Sequence, residues 1–190
     1  MCRGLAALPF TCFERAKEFK TRLRLLLHKT ELGHELSSSK PLWGTKMRYS
    51  SEEVLGWKQS FDQLLKSKNG LSAFYTFLKT EFSEENLEFW LACEDYKKTR
   101  SKSKLASKAN RIFEKFIQNE APREVNIDHE TRELTRKNLT SATSACFDEA
   151  QAKTRTLMEK DSYPRFLKST SYWKMTEQAS SHGTSKQSHT

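Results

Sequence analysis

Glycine and proline are scarce in this sequence, six and four among 190 residues. A turn-rich β sandwich or barrel needs more of both, so the scarcity points to a helical chain. No segment alternates apolar and polar residues strongly enough to read as a half-buried strand. No apolar run is long enough to span a bilayer. The four cysteines, Cys2, Cys12, Cys93 and Cys146, form no Cys-x-x-Cys pair, and no histidine stands at zinc-finger spacing. There is no G-x-x-x-x-G-K-[ST] phosphate loop, no G-x-S-x-G elbow and no H-E-x-x-H pair. His129 lies between Asp128 and Glu130, but no nucleophile accompanies it, and a solvated helix start explains it more simply. The expectation is therefore no metal site, no cofactor and no catalytic residue. At the N-terminus, Arg15, Lys17, Glu18, Lys20, Arg22 and Arg24 interrupt any signal-peptide core, so an intracellular chain with reduced thiols is expected.

Charge and aromatic residues are abundant. The formal net charge is +9, and aromatics make up 11% of the chain, enough to build a core. The charge is unevenly placed. Residues 1–30 carry seven Lys/Arg against two Asp/Glu, whereas residues 50–176 carry 22 against 19. A basic arm on a nearly balanced domain argues against nucleic-acid binding by the domain. From Pro9 to Leu27, Phe13, Ala16, Leu23, Leu26 and Leu27 line one helical face, with Arg15, Lys17, Arg22 and Arg24 flanking or opposing it. Such a helix either lies in an anionic membrane interface or docks on the domain's own core; the charge excess favours the membrane. Cys2 and Cys12 lie where an acyl chain would strengthen that anchor. Residues 34–49 read as a linker, broken by Ser37-Ser38-Ser39, Pro41 and Gly44, and Trp43 within it has no assigned role.

The compact domain is expected over 50–176. Ser50 with Glu53 has capping-box spacing, and Val54, Trp57, Phe61, Leu64 and Leu65 follow as one helix that Asn69-Gly70 would stop. Leu71 to Leu78 gives a second helix. Ser83 is the expected N-cap of a third, from Glu84 to about Lys98, with Trp90 as its anchor. Leu105 to Ile117 gives a fourth, whose outer face bears Lys102, Lys104, Lys108, Arg111 and Lys115. Asp128 is placed to cap the next helix. Another runs from about Ser144 to Glu159-Lys160-Asp161, and Tyr163-Pro164 opens a final short one. Residues 177–190 have the composition of a disordered tail. The pattern is all-α, a bundle of seven or more short helices. On this basis alone the chain is a helical interaction module with a membrane-seeking arm.

Three blocks carry a resemblance. They are Phe82-Ser83-Glu84-Glu85-Asn86-Leu87-Glu88-Phe89-Trp90, then Glu120-Ala121-Pro122-Arg123-Glu124-Val125-Asn126-Ile127-Asp128, then Leu157-Met158-Glu159-Lys160-Asp161-Ser162-Tyr163-Pro164-Arg165-Phe166-Leu167. In this order they resemble the regulator of G-protein signalling family over about residues 51–175, and residues 1–33 are similar to the arm of its small members. The resemblance implies a nine-helix all-α domain with two subdomains, preceded by an amphipathic helix. It implies a GTPase-activating protein for heterotrimeric G-protein α subunits of the Gi and Gq classes, with no catalytic residue of its own. The implied partner is the GTP-bound α subunit, with no nucleic acid and the chain itself a monomer. The alternative is a membrane-anchored scaffold that binds an acidic partner without accelerating hydrolysis. The implied α-subunit contacts are Glu85, Asn86, Asn126, Leu157, Asp161, Ser162 and Arg165. Asn126 would neighbour the glutamine that orients the attacking water, Asp161 would accept from a switch threonine, Arg165 would support Asp161, and Leu157 would supply an apolar contact. Cys2, Cys12 and Cys93 match lipidated cysteines, which implies a cytoplasmic protein held peripherally at the inner face of the plasma membrane. Thr140-Ser141-Ala142-Thr143 and Ser171-Tyr172-Trp173-Lys174-Met175 depart from the family's pattern.

Overall fold

The computed structural model describes residues 49–181, so the basic arm, Cys2, Cys12 and Trp43 lie outside the described residues. Among the described residues every regular element is helical. In order these are α1 (Ser51–Gln59), α2 (Phe61–Lys66), α3 (Lys68–Thr80), α4 (Glu85–Lys97), α5 (Lys102–Phe116), α6 (His129–Leu139), α7 (Asp148–Leu157), a π turn (Met158–Ser162), α8 (Tyr163–Lys168) and α9 (Thr170–Ser181). Because α7, the π turn and α8 follow without a break, nine α-helical segments make eight rods.

Two serines cut the first expected helix into pieces. Ser50 caps α1 as expected, its Oγ accepting from Glu53 N at 3.1 Å. Glu53 does not return the bond. Its carboxylate accepts instead from Ser67 Oγ at 2.6 Å and Asn69 Nδ2 at 3.1 Å. Ser60 is extended, at φ −153° and ψ 133°, and its Oγ accepts from Asp62 N at 3.2 Å to start α2. A serine hydroxyl offers the backbone a local alternative to the helix ladder, and here it wins. Ser67 repeats the device for α3, accepting from Gly70 N at 2.9 Å. Asn69-Gly70 therefore sits inside the first turn of α3 and stops nothing.

Gly70 is required there by space. A Cβ on Gly70 would stand 2.5 Å from Leu64 O and 3.0 Å from Trp57 Nε1. Alanine is worth about 1 kcal/mol more than glycine in an open helix. A backbone carbonyl cannot step aside, so overpacking of about 1–3 kcal/mol wins. Gly70→Ala is expected to lower the denaturation midpoint in urea; a raised midpoint would show that α2 and α3 can part without cost.

The rods form two groups. Helices α4, α5, α6 and α7 neighbour one another in a four-helix bundle. Its core contains Phe89, Cys93, Tyr96, Ile112, Phe113, Phe116 and Phe147. Helices α1, α2, α3, α8 and α9 form the second group, around a run of aromatic rings. Phe61 meets Phe74 edge-on at 5.7 Å, Phe74 meets Phe166 at 5.5 Å, and Phe166 meets Tyr172 at 5.3 Å. The rod α7–π–α8 belongs to both groups and joins them.

The sequence pattern ends that rod at Glu159-Lys160-Asp161, but the structure continues it. Pro164 explains why it widens instead. In an α register its ring would press on the Lys160 carbonyl and its missing amide would leave that carbonyl unpaired. One π turn at Met158–Ser162 shifts the register and carries the helix past. At the far end α9 runs on to Ser181, with Ala179 buried and its carbonyl accepting from Ser51 Oγ at 2.9 Å.

Candidate functional site

The connection from α3 to α4 is a Schellman turn built without glycine. Ser83 N donates to Leu78 O at 3.0 Å and Phe82 N to Lys79 O at 3.4 Å, which closes the end of α3. This puts Phe82 in the left-handed region at φ 52°, a conformation that costs a non-glycine residue about 1–2 kcal/mol. The same phenylalanine is 90% exposed. Strain and an exposed aromatic at one residue make this turn a candidate contact surface. Residue periodicity gives no warning of Phe82; a large aromatic directly after a helix end, where glycine is usual, is the available signal.

Because the turn takes up Ser83, this residue does not cap α4. Its Oγ reaches only Leu78 O, at 3.5 Å, and Glu84 occupies the cap position in αR conformation without capping the helix backbone through its side chain. Nor is Trp90 the anchor of α4. Leu87, Phe89, Cys93 and Tyr96 are fully buried, while Trp90 is half-buried. This helix buries most of its circumference.

The expected site residues fall into two arginine-held groups. In the first turn of α4, Asn86 is only 6% exposed. Its Nδ2 donates to Ser83 O and to Glu85 Oε1, both at 3.1 Å, whereas its buried Oδ1 has no partner. Glu85 is half-buried, and burial raises its carboxyl above the ordinary value. One turn on, Glu88 is 5% exposed. It accepts from Tyr75 Oη at 3.2 Å and from Arg123 Nε and Nη2 at 3.3 and 3.1 Å. Arg123 Nη2 also reaches Glu84 Oε1 at 3.0 Å. Burial would lower the Arg123 pKa, but Glu88 and Glu84 outweigh it and hold the guanidinium firmly charged. Arg123 thus ties the extended segment after α5 to the start of α4. In that segment Val125 and Ile127 are buried and Asn126 between them is exposed.

The second group centres on Arg165. Its Nη2 donates to Glu81 Oε2 at 2.8 Å and its Nε to Glu81 Oε1 at 3.0 Å, while Nη1 holds Asp161. Glu81 is the C-cap of α3, so α8 is fastened to the Phe82 turn. Glu81 first, then Asp161, raises the Arg165 pKa. Asp161 and Arg165 are exposed, Ser162 is buried, and Leu157 is half-buried on the same rod. Sequence reasoning assigns no role at the site to Glu81, Phe82, Glu88 or Arg123.

The acid–base cluster serves structure. Asp128 caps α6 through Thr131 N at 2.9 Å and pairs with Lys153 Nζ at 2.6 Å. Lys153 and then the Thr131 bonds hold its carboxyl well below the usual range. Among the described residues no group of three or more His, Cys, Asp or Glu could hold a metal, and no helix is long and apolar enough to cross a membrane.

Cys93 and Cys146 are free and buried. Burial raises the Cys93 thiol well above its ordinary value and pushes Cys146 up to about 11. Acyl transfer to Cys93 requires the bundle to open first. Both thiols are expected to resist a thiol-specific alkylating reagent in the native protein and to react at once in denaturant. Rapid native labelling of the Cys93 peptide would show that α4 opens readily.

The profile of the family described as "Regulator of G protein signaling domain" matches residues 60–175. The chain is similar to regulator of G-protein signaling 16 of Sus scrofa, at 68% identity over 186 residues, covering 95% of this chain and 93% of that one. The Homo sapiens protein of the same name is 68% identical over 185 residues, covering 95% and 92%. Regulator of G-protein signaling 5 of Sus scrofa is 54% identical over 176 residues, covering 90% and 97%.

Proposed function

Because the chain belongs to the regulator of G-protein signalling family, we propose that it accelerates GTP hydrolysis by heterotrimeric G-protein α subunits of the Gi and Gq classes. The observation that carries this is the pair of arginine fastenings. Arg165 joins Asp161 to the Phe82 turn through Glu81, and Arg123 joins the Asn126 segment to Glu84 and Glu88. Three segments distant in sequence are thereby held as rigid edges around one turn.

A rigid surface is what this activity needs. The α subunit supplies its own arginine in cis, so a helper has no bond-breaking residue to contribute. It gains rate by holding mobile switch loops in the geometry of hydrolysis. In this reading Asp161 accepts from a switch threonine, Asn126 stands beside the water-orienting glutamine, and Leu157 and Phe82 give apolar contacts. Glu85 completes the surface, with the buried Asn86 and Ser162 seated directly beneath it. Arg165 keeps Asp161 oriented. The domain over 50–176 acts as a monomer. The basic arm over 1–33, joined by the 34–49 linker and lipidated at Cys2 and Cys12, holds it at the inner face of the plasma membrane, and the charge excess of that arm supports this.

The test is state-dependent binding. The full chain should bind a Gi α subunit carrying GDP and aluminium fluoride more tightly than the same subunit with GDP or with a non-hydrolysable GTP analogue. Equal affinity for all three states would favour the scaffold instead.

A further inference from the structure

Glu88 is a carboxylate buried at the hinge between two parts of the proposed site. A buried ion pair is a poor source of stability, since apolar residues of the same volume often do as well or better. What it supplies is a fixed location, because each charge must find the other. From this geometry we infer that Arg123 is a positioning residue for GTPase activation: its fork sets Asn126 at a fixed place relative to Glu85 and Asn86. The inference rests on the α-subunit reading given above.

Each part of the linkage is held. Arg123 N donates to Lys115 O at 3.1 Å and Val125 N to Phe116 O at 2.9 Å, so the segment is pinned to the end of α5 by its backbone. Val125 and Ile127 are sunk into the bundle, which turns Asn126 outward. The guanidinium then crosses to α4 and takes Glu84 and Glu88, the residues on either side of Glu85 and Asn86. Lys115 Nζ stands 3.7 Å from Glu88, and Tyr75 Oη donates to it, so the carboxylate is surrounded on three sides. Only Arg123 among these partners lies on the segment that carries Asn126. Without its charge, the segment keeps its two backbone bonds to α5 and its buried Val125 and Ile127, but loses the side-chain tie that sets its place beside Glu84 and Glu88.

Non-additivity tests this, because residues acting through one another do not sum. Single-turnover acceleration of GTP hydrolysis by a Gi α subunit is measured for full-length wild type, Asn126→Ala, Arg123→Met and the double variant. Asn126→Ala is expected to reduce acceleration about thirtyfold in wild type, and by less than about threefold in the Arg123→Met background. Arg123→Lys keeps a charge on Glu88 and should restore most of the Asn126 contribution. As a control, Leu64→Val removes a core methylene in the other subdomain and should leave the full thirtyfold effect. Should Arg123→Met lack the parent's helical circular dichroism, Glu88→Gln replaces it, with the same collapse expected.

If Asn126→Ala is silent in wild type, the contact reading of Asn126 falls and the positioning role falls with it. If Asn126→Ala costs as much in the Arg123→Met background as in wild type, the positioning role alone is wrong. A result in which Arg123→Lys performs no better than Arg123→Met overturns it as well.

Discussion

Asp161→Ala is expected to reduce the acceleration of GTP hydrolysis by about thirty- to several-hundred-fold while leaving the fold in place. In the reading given above, the Asp161 carboxylate accepts hydrogen bonds from a switch loop whose position defines the reacting geometry. Loss of one such preorganised partner costs about 2–4 kcal/mol of transition-state stabilisation. The folded chain hardly notices the change. Asp161 is exposed, its partner Arg165 is also exposed, and exposed pairs contribute about 0–1 kcal/mol. Arg165 keeps both oxygens of Glu81. Hydrolysis rates and a thermal melt on the same sample separate the two effects. A melt that falls steeply with the activity would mean that Asp161 holds the π turn rather than the partner.

Phe89→Ala is expected to be the most damaging single truncation in α4, at about 3–5 kcal/mol. The ring is fully buried, 5.6 Å from Phe116 and 6.2 Å from Phe147, so α4, α5 and the residue that precedes α7 lose a shared contact. Trp90→Ala next to it removes a larger side chain, yet one that is only half-buried. It should cost less than Phe89→Ala in a chemical denaturation series. A domain holds only about 5–15 kcal/mol in reserve, so Phe89→Ala takes a large share of it. The reverse order of costs would restore Trp90 as the anchor.

The two aromatic neighbours show how far sequence carries here. The α5 helix is legible because one face is apolar and the other charged: Leu105, Ala109, Ile112, Phe113 and Phe116 are buried where the period puts them. Asp128 is legible as a cap because the type and spacing of the residue leave little else for it to do. Helix α4 is not legible in the same way. Apolar on most sides, it gives no single stripe, and periodicity selects Trp90 over Phe89. The helix breaks are misplaced for a related reason. Ser60 and Ser67 end helices by hydrogen bonding that composition does not reveal, while Asn69-Gly70, the stronger turn signal, is drawn into α3 by the cap at Ser67.

The proposed site comes from the sequence as a set of residues and not as an arrangement. Glu85, Asn86, Asn126, Leu157, Asp161, Ser162 and Arg165 come from the resemblance of three blocks. What fastens the blocks to one another, Arg123 with Glu84 and Glu88, and Arg165 with Glu81, lies in contacts across 35 to 84 positions of sequence that no local pattern encodes. Phe82 escapes for a different reason. Its backbone conformation, and not its type, is what singles it out.

Single-turnover hydrolysis of GTP by a purified Gi-class α subunit, with and without the full chain, is the most direct measurement. A rate that rises sharply with added protein, and whose rise is lost in Asp161→Ala although the variant melts like wild type, is the expected result. Tight binding of the α subunit with an unchanged hydrolysis rate would contradict it and leave the protein a scaffold.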